Sequence, residues 1–198
     1  MPLNEYKDKR NFKKTPEPVS EKKKRAGQAD KKEKQQVSLE FVVHKHFASH
    51  LHYDLRLELD GVLKSWAIPK GPTMNPKEKR LAVMVEDHPF DYGDFEGIIP
   101  EGNYGAGKVY IWDRGTYRSR NATNKDESIT ELREGLSKGH LTFILEGKIL
   151  KGEFALIKLK KASPKDWLMI KKNDEFASEE DLTKIEAPNE LLDKKKMK

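Results

Sequence analysis

The chain of 198 residues contains no cysteine, which excludes disulfide bonds and thiolate metal sites. A metal or catalytic site in this protein must therefore use histidine, carboxylate or other polar side chains. The N-terminal sequence lacks the apolar core of a signal peptide, and no uninterrupted apolar run approaches the length of a membrane span. These absences predict a cytoplasmic protein without a membrane partner.

Charge is abundant but unevenly distributed. Hydrophobic residues make up 35% of the chain and charged residues 36%, so we expect a modest core. The net charge is +6 in residues 1–36, −3 in residues 37–190 and +3 in residues 191–198. Basic ends on a nearly neutral body are typical of proteins that bind a polyanion such as nucleic acid, although solubilising disordered ends explain the pattern equally well.

The sequence predicts one folded domain between two basic ends. Residues 20–36 hold almost no apolar side chain and indicate a flexible linker. Residues 1–19 are also basic, but Tyr6 and Phe12 are apolar groups with which this part of the arm could dock. We therefore predict an N-terminal arm at 1–36, a folded domain at 37–190 and a C-terminal tail at 191–198.

Strand patterns dominate the folded domain. In LHYDLRLELD, residues 51–60, apolar and polar residues alternate, and a period of two predicts a half-buried strand. Asp60 and Gly61 then form a tight turn into a partner strand, VLKSWAIP. Further strands are predicted at SLEFVV, RLAVMVE, KVYIWDRGTY, LTFILEG, EFALIKL and WLMIKK. Many short strands with little helix predict a mainly β fold, either an antiparallel β-barrel or a sandwich.

One helix is predicted at ESITELREGLSKG, residues 127–139. Ser128 and Glu131 have the spacing of a capping box, and Gly139 can end the helix. The glycine-rich GIIPEGNYGAG, residues 97–107, lacks the spacing and the Lys-Ser/Thr end of a phosphate-binding P-loop. We interpret that segment as a structural turn.

The segment HKHFASHLHYDLRLELDG, residues 44–61, contains four of the six histidines of the chain. If the leucines of the strand point inward, His52, Asp54 and Arg56 project together from the other face, about 7 Å apart. A bend at FAS can bring a second histidine over them, and either His46 or His50 could be the third ligand. Two imidazoles and one carboxylate suit Mn, Zn or Fe, and Arg56 beside such an ion could bind a phosphate oxygen.

Two other interpretations of this segment remain open. The polar face could be simply solvated, or two histidines could act as acid and base without a metal, with Asp54 orienting one of them. Other polar residues could complete a site. They are Lys70 in PKGP, Arg80 before LAVMV, and His88 and Tyr92 in EDHPFDY.

Two long segments, KHFASHLHYDLRLELDGVLKSWAIPKGP and KRLAVMVEDHPFDYGDFEGIIPEGNYGAGKVYIWDRGTY, resemble the 3′-phosphoesterase domain of bacterial DNA ligase D, an enzyme of non-homologous end joining. The likeness runs from YKDKRNFKKTPEP to WLMIKKND. It implies a small antiparallel β-barrel and a manganese-dependent enzyme that repairs 3′ ends. The family removes a terminal ribonucleoside by cleaving a phosphodiester and then removes the 3′-phosphate. Because the likeness covers nearly the whole chain, we expect a stand-alone phosphoesterase.

The resemblance also assigns residues to roles. It implies that the metal ligands are His46, His52 and Asp54, with Mn²⁺ as the ion and Zn²⁺ or Co²⁺ as alternatives. It places the substrate phosphate at Arg56, His88 and Tyr92, with Lys70 and Arg80 near the scissile group. Among these residues, His88 is our choice for the general acid or transition-state donor. His44 and His50 match no position of the family motif.

The N-terminal segment matches the family as well. Arg10 and Glu17 correspond to positions that shape the site, whereas Asn11 stands where the family usually has aspartate. This change could weaken the phosphodiesterase step, or it could be harmless if the residue only makes a hydrogen bond. The expected partners are DNA primer–template 3′ ends, including ribonucleotide-terminated ends, and could include a separate DNA ligase, polymerase or Ku-like protein. Two rival functions are a metal-independent histidine nuclease and a non-catalytic DNA-end adaptor.

Overall fold

A computed structural model of the chain describes residues 3–19, 38–190 and 193. The linker predicted at 20–36 lies outside the described residues, as does the tail predicted at 191–198 except for Asp193. The strands are β1 Leu39–Phe47, β2 Leu51–Leu59, β3 Val62–Ile68, β4 Lys79–Met84, β5 His88–Pro89, β6 Gly97–Ile99, β7 Gly107–Ser119, β8 His140–Gly147, β9 Lys151–Lys158 and β10 Asp166–Lys171.

Eight of these strands close into an antiparallel barrel. Their order is β1-β2-β3-β4-β10-β9-β8-β7, and β7 pairs back to β1. The two short strands lie outside the ring, where β5 pairs with β3 and β6 pairs with β7. The predicted mainly β fold with a small antiparallel barrel is therefore confirmed, and the sandwich alternative is wrong because the sheet closes on itself.

Strand β2 spans the predicted residues, but it is not half-buried as predicted, because Leu51 at its start is 42% exposed and the outward Asp54 and Arg56 are buried. Tyr53, Leu55 and Leu57 are at most 2% exposed and belong to the core inside the barrel. The turn that follows places Asp60 at φ 56° and Gly61 at φ 75°, the left-handed pair that a two-residue hairpin requires. The β2–β3 hairpin therefore fixes which side chains of β2 face outward.

The α-helices that accompany the barrel include α1 at Asn4–Asp8 and α2 at Lys125–Lys138, and residues 188–190 and 193 are also helical. Helix α2 ends at Gly139 as predicted, with φ 75°, but the predicted capping pair is wrong. The helix begins two residues earlier, where the Asn124 side chain accepts a hydrogen bond from the Glu127 amide. Short 3₁₀ helices occur at Phe90–Asp94 and Leu182–Lys184. None of the described helices is long and apolar enough to cross a membrane.

A second apolar cluster, separate from the barrel core, includes Leu63 of β3 and Val109 of β7. Residues 3–19 form one part of this cluster, and Tyr6 is fully buried in it. The Tyr6 hydroxyl donates a hydrogen bond to the Pro18 carbonyl at 2.8 Å, which closes the segment on itself. The buried residues of this cluster are Tyr6, Leu63, Tyr92, Phe95, Ile99 and Val109.

Candidate active site

The register of β1 and β2 assembles a cluster of three side chains that could hold a metal ion. His46 lies directly opposite His52 in the strand pair, and Asp54 is two residues further on the same face of β2. One ligand atom from each of the three residues lies within 4.8 Å of the others. His46 Nδ1 is 3.6 Å and His52 Nε2 is 3.7 Å from the Asp54 carboxylate.

Backbone carbonyls fix the protonation of both imidazoles. His46 Nε2 is 2.9 Å from the Gly105 carbonyl oxygen, and His52 Nδ1 is 2.9 Å from the His50 carbonyl oxygen. A carbonyl oxygen can only accept, so each of these ring nitrogens carries its proton. In the neutral form of each ring, the nitrogen that faces Asp54 is then the unprotonated one, which is the form that binds a metal. Two neutral imidazoles and a carboxylate form a donor set that fits a divalent transition ion.

The third group of the cluster is ionised. Burial raises the pKa of Asp54, but Arg56 and the two neighbouring imidazoles outweigh this effect and hold the pKa below its ordinary value. Asp54 is itself buried and therefore supplies a negative charge at neutral pH, beside a partly exposed His52.

Arg56 is held beside Asp54 by several contacts. Its Nη2 donates to Asp54 at 3.1 Å, its Nη1 to Ser65 Oγ at 2.9 Å and its Nε to His44 Nδ1 at 3.1 Å. The guanidinium also lies 4.6 Å from the centre of the Tyr92 ring. His44, which the sequence pattern left without a role, is thus part of the support of Arg56. Burial and the nearby Arg56 charge lower the pKa of His44 to about 3, so it stays neutral.

The N-terminal segment supplies a second arginine. Arg10 Nε donates to Glu17 at 2.8 Å and its Nη1 donates to Glu86 at 2.9 Å. Lys9 reaches the other oxygen of Glu86 at 3.0 Å. Burial raises the pKa of Glu86, but the hydrogen bonds from Arg10 and Lys9 bring it below its ordinary value. This charged network anchors residues 3–19 to the barrel at the edge of the site.

His88 and Tyr92 lie between the two arginines. His88 Nδ1 donates to the Glu86 carbonyl at 2.9 Å, so its Nε2 accepts from Arg10 Nη2 at 3.2 Å. Burial, with Arg56 and Arg10 nearby, holds the pKa of His88 well below its ordinary value. His88 is therefore a neutral acceptor in this arrangement. Tyr92 donates to Glu17 at 3.2 Å, and burial raises its pKa, so it keeps its proton.

These groups surround one cavity of about 180 Å³ on the outer face of the barrel. The cavity contains most of the residues singled out from the sequence and some that were not. The predicted residues that line it are Arg10, Glu17, His46, His52, Asp54, Arg56, His88 and Tyr92.

Three predicted residues do not line this cavity. Lys70 is exposed just after the end of β3. Arg80 lies on β4, where its Nη2 bonds to Glu78. Asn11 is exposed, and its side chain accepts a hydrogen bond from the Lys13 amide at 3.2 Å. The sequence pattern carries no signal of these local bonds, so it could not separate these residues from the cluster.

Sequence reasoning also missed part of the site. Glu86, Tyr104 and Gly105 line the cavity, and the last two belong to the loop that the sequence pattern indicates as a structural turn. That loop provides the carbonyl that orients His46. No sequence motif reports such a contact, because it joins residues that are 59 positions apart.

Comparison with known proteins identifies the family. A family model described as the DNA Ligase D 3′-phosphoesterase domain matches residues 44–158. The chain belongs to this family. The family match covers all of β1 to β9 except the first residues of β1, and it includes the three clustered side chains.

Curated relatives of this phosphoesterase domain extend the match. The chain is 49% identical over 174 residues to the multifunctional non-homologous end joining protein LigD of Pseudomonas aeruginosa, covering 87% of this chain and 19% of the relative. It is 42% identical over 174 residues to LigD of Mycolicibacterium smegmatis, covering 87% and 21%. It is 40% identical over 156 residues to the LigD DNA repair protein of Mycobacterium tuberculosis, covering 79% and 18%. The chain thus spans about a fifth of the length of these relatives.

Proposed function

We propose that this chain is a metal-dependent DNA 3′-end-processing phosphoesterase. It removes a 3′-terminal ribonucleoside by cleaving a phosphodiester and then removes the remaining 3′-phosphate to leave a 3′-hydroxyl. The observation that carries the proposal is the convergence of His46, His52 and Asp54 with Arg56 in one cavity, because this joins a donor set for a metal to a fixed cation for a phosphate. Family membership supports the same reaction class.

His46, His52 and Asp54 would hold the divalent ion, which we propose to be Mn²⁺, with Zn²⁺ or Co²⁺ as alternatives. A bound divalent ion of this kind polarises a phosphoryl oxygen and lowers the pKa of bound water. The contribution of the chain is to orient the two imidazoles, through the carbonyls of His50 and Gly105, so that the other nitrogen of each ring faces the ion.

Arg56 provides the positive charge for the phosphate. Its planar guanidinium is held by three side chains, so it needs little reorganisation when negative charge develops on the equatorial phosphate oxygens. Arg10 approaches from the other side of His88, and the Tyr92 hydroxyl is a protonated donor. We propose that Tyr92 donates a hydrogen bond to the phosphate in place of its bond to Glu17.

His88 has a more restricted role than the sequence alone indicates. A general acid must carry a proton on the nitrogen that faces the substrate, whereas His88 Nε2 accepts from Arg10. His88 can become a donor to the phosphate only when Arg10 moves away from Nε2 and the imidazole gains a proton. We therefore propose that His88 first orients Arg10 and donates only after a phosphate has displaced that bond.

The substrate is proposed to be a DNA primer–template with a ribonucleotide or a phosphate at its 3′ end. Lys70 and Arg80 are retained as candidate contacts to the substrate beyond the cavity, and Asn11 as a candidate that tunes the phosphodiesterase step. The excess positive charge of residues 1–36 and 191–198 supports attraction to the DNA backbone without sequence recognition. A separate DNA ligase, polymerase or Ku-like protein would be the partner, and the cytoplasm the location.

The direct test uses two labelled primer–templates, one ending in a single ribonucleotide and one ending in a 3′-phosphate. Each is incubated with the protein and Mn²⁺ or with EDTA, and the products are resolved on a gel. We expect conversion of both substrates to a 3′-hydroxyl end with Mn²⁺ only. Activity that survives EDTA would favour a metal-independent histidine nuclease. DNA binding without any product would favour the adaptor.

A further inference from the structure

Tyr104 differs from the other tyrosines of the chain, of which there are six in total. The others are at most 8% exposed, and each donates its hydroxyl to a carbonyl or carboxylate oxygen. Tyr104 is 51% exposed, and its hydroxyl makes no hydrogen bond within the described part of the chain. Its ring is therefore not required to fill a core or to complete a buried network.

Tyr104 lies beside the candidate metal site and two cations. Tyr104 lines the same cavity as Asp54 and Arg56. Lys9 Nζ lies 4.9 Å and the Arg10 guanidinium 5.7 Å from the centre of the ring. Other large apolar side chains are exposed in the described residues, but they do not line this cavity. They are Val19, Phe47, Leu51, Leu81, Ile98 and Phe176.

The loop that carries Tyr104 is tied to the candidate metal site. Gly102 and Gly105 adopt φ 80° and 75°, a left-handed conformation that favours glycine. The carbonyl of Gly105, the residue after Tyr104, accepts the hydrogen bond from His46 Nε2. The ring is thus attached directly to the backbone that orients a metal ligand, at the mouth of the cavity where the phosphate would bind.

We propose that Tyr104 forms a nucleobase subsite, on which the base of the 3′-terminal nucleoside stacks while its phosphodiester occupies the cavity. This inference rests on the proposed function and adds a contact that selects the diester substrate. Stacking on an aromatic ring tolerates any base, because every base has a π face. Surfaces that follow a longer single strand present successive aromatic rings, whereas one exposed ring fits one base.

The proposal makes the two activities depend differently on Tyr104. The phosphodiester substrate carries a base beyond the scissile bond, and the 3′-phosphate substrate does not. Tyr104→Ala should therefore lower kcat/KM on the ribonucleotide-ended primer roughly 10- to 100-fold more than on the 3′-phosphate primer, the range expected for loss of one base–aromatic stack. Tyr104→Phe and Tyr104→Trp keep the ring and should recover most of the loss.

A third substrate distinguishes the contribution of the base from that of the sugar. This primer ends in a 3′-terminal ribose that lacks its base but keeps its 2′-hydroxyl. With the intact protein, kcat/KM should be lower on the abasic primer than on the ribonucleotide-ended primer. The size of this decrease should match the decrease that Tyr104→Ala causes on the ribonucleotide-ended primer. With Tyr104→Ala, removing the base should then have little further effect. Phe176→Ala, which truncates an aromatic ring that is 42% exposed and outside the cavity, is the matched control.

The possible results are distinguishable. Intact protein that converts neither primer in Mn²⁺ would overturn the proposed function itself. Intact protein that converts both primers, with Tyr104→Ala losing both activities in parallel, would overturn only the base subsite and assign the ring a role in holding the loop. The subsite would also be overturned if Tyr104→Ala left the ratio of the two kcat/KM values unchanged. The same holds if removal of the base from the primer lowered kcat/KM equally in the intact protein and in Tyr104→Ala. Thermal unfolding of each variant checks that the fold is retained.

Discussion

The inward face of strand β2 is apolar, whereas its outward face is polar and needs hydrogen-bond or charge partners. The inward face packs Tyr53, Leu55 and Leu57 into the core of a closed barrel, where burial of apolar surface is sufficient for stability. The outward face presents His52, Asp54 and Arg56, which are polar and yet mostly buried. Such groups need partners, because an unpaired buried charge is costly.

The partners of the outward face come from distant parts of the sequence. Arg56 bonds to Ser65 on the neighbouring strand, His46 bonds to a loop carbonyl before β7, and the N-terminal segment contributes Arg10 and Glu17. The comparison teaches that the barrel is built by local alternation, whereas the site depends on the N-terminal segment and a loop that are added to it. We therefore expect mutations on the inward face to lower mainly stability and mutations on the outward face to lower mainly activity.

The largest expected effect is on activity and comes from the outward face. Asp54→Ala removes one proposed metal ligand and the carboxylate partner of Arg56, and we expect the phosphoesterase rate to fall roughly 1,000-fold. The matched control is Glu58→Ala, which removes an acidic side chain from the same face of β2 outside the cavity. Rates measured with the 3′-phosphate primer test this difference. Equal activity of the two variants would show that the cluster is not the centre of the reaction.

On the inward face, Leu55→Ala should act mainly on stability. Leu55 is fully buried in the barrel core, and truncation of such a residue costs about 3 kcal/mol of unfolding free energy. Urea unfolding measures the change, and the rate is then determined at a temperature where the variant is folded. We expect at least a third of the normal rate. A rate as low as that of Asp54→Ala would mean that the two faces are not independent.

The contribution of the N-terminal segment can be tested through Arg10. Arg10→Ala leaves Glu17 and Glu86 without their shared cation and His88 without its donor, so we expect the rate to fall roughly 30-fold. Hydrogen exchange should increase in residues 3–19 and change little in β8 and β9. The control is Lys13→Ala in the same segment, where the side chain is exposed. Loss of protection throughout the barrel would contradict the separation of this segment from the barrel.

The smallest effect concerns the dependence of stability on pH. His44 has a pKa of about 3 in the folded chain, below the ordinary value of about 6.5 that it regains on unfolding. The unfolded chain therefore binds more protons between these values, and stability falls as the pH drops from about 6.5 towards 3. Between pH 7.5 and pH 5.5 we expect His44 to account for a loss of about 1 kcal/mol.

Urea unfolding of the intact protein and of His44→Gln, both in EDTA, tests this contribution. The variant cannot gain a proton at this position, but its amide oxygen can still accept from Arg56. We expect a smaller loss of stability on acidification in His44→Gln. Parallel pH profiles for the two proteins would show that His44 does not titrate in this window on unfolding.

The sequence predicts local features of this molecule well. Alternation located β2 over its observed length, the Asp60–Gly61 turn was recognised, and the period of two placed His52, Asp54 and Arg56 on one face. The choice between His46 and His50 was not accessible from spacing, because both could fold back over the strand. It depends on the strand register, which sets His46 opposite His52 and leaves His50 exposed in the hairpin.

Features that depend on tertiary contacts were beyond the sequence pattern. His44 had no predicted role because its partner is the side chain of Arg56 on the next strand. The helix start was misplaced because Ser128 has a competing partner, the Ser119 amide, while Asn124 provides the cap. Glu86 gave no signal as an isolated acid, and its importance comes from Lys9 and Arg10 of a segment more than 70 residues away.

Direct binding of Mn²⁺ is the measurement closest to the assignment of the three ligands. Titration of the protein with Mn²⁺, followed by the electron paramagnetic resonance signal of the free ion, gives the number of bound ions and their affinity. We predict one tight site per chain in the intact protein and in Glu58→Ala, and at least a 100-fold weaker affinity in Asp54→Ala. Equal tight binding in Asp54→Ala would contradict the assignment of His46, His52 and Asp54 as the metal site.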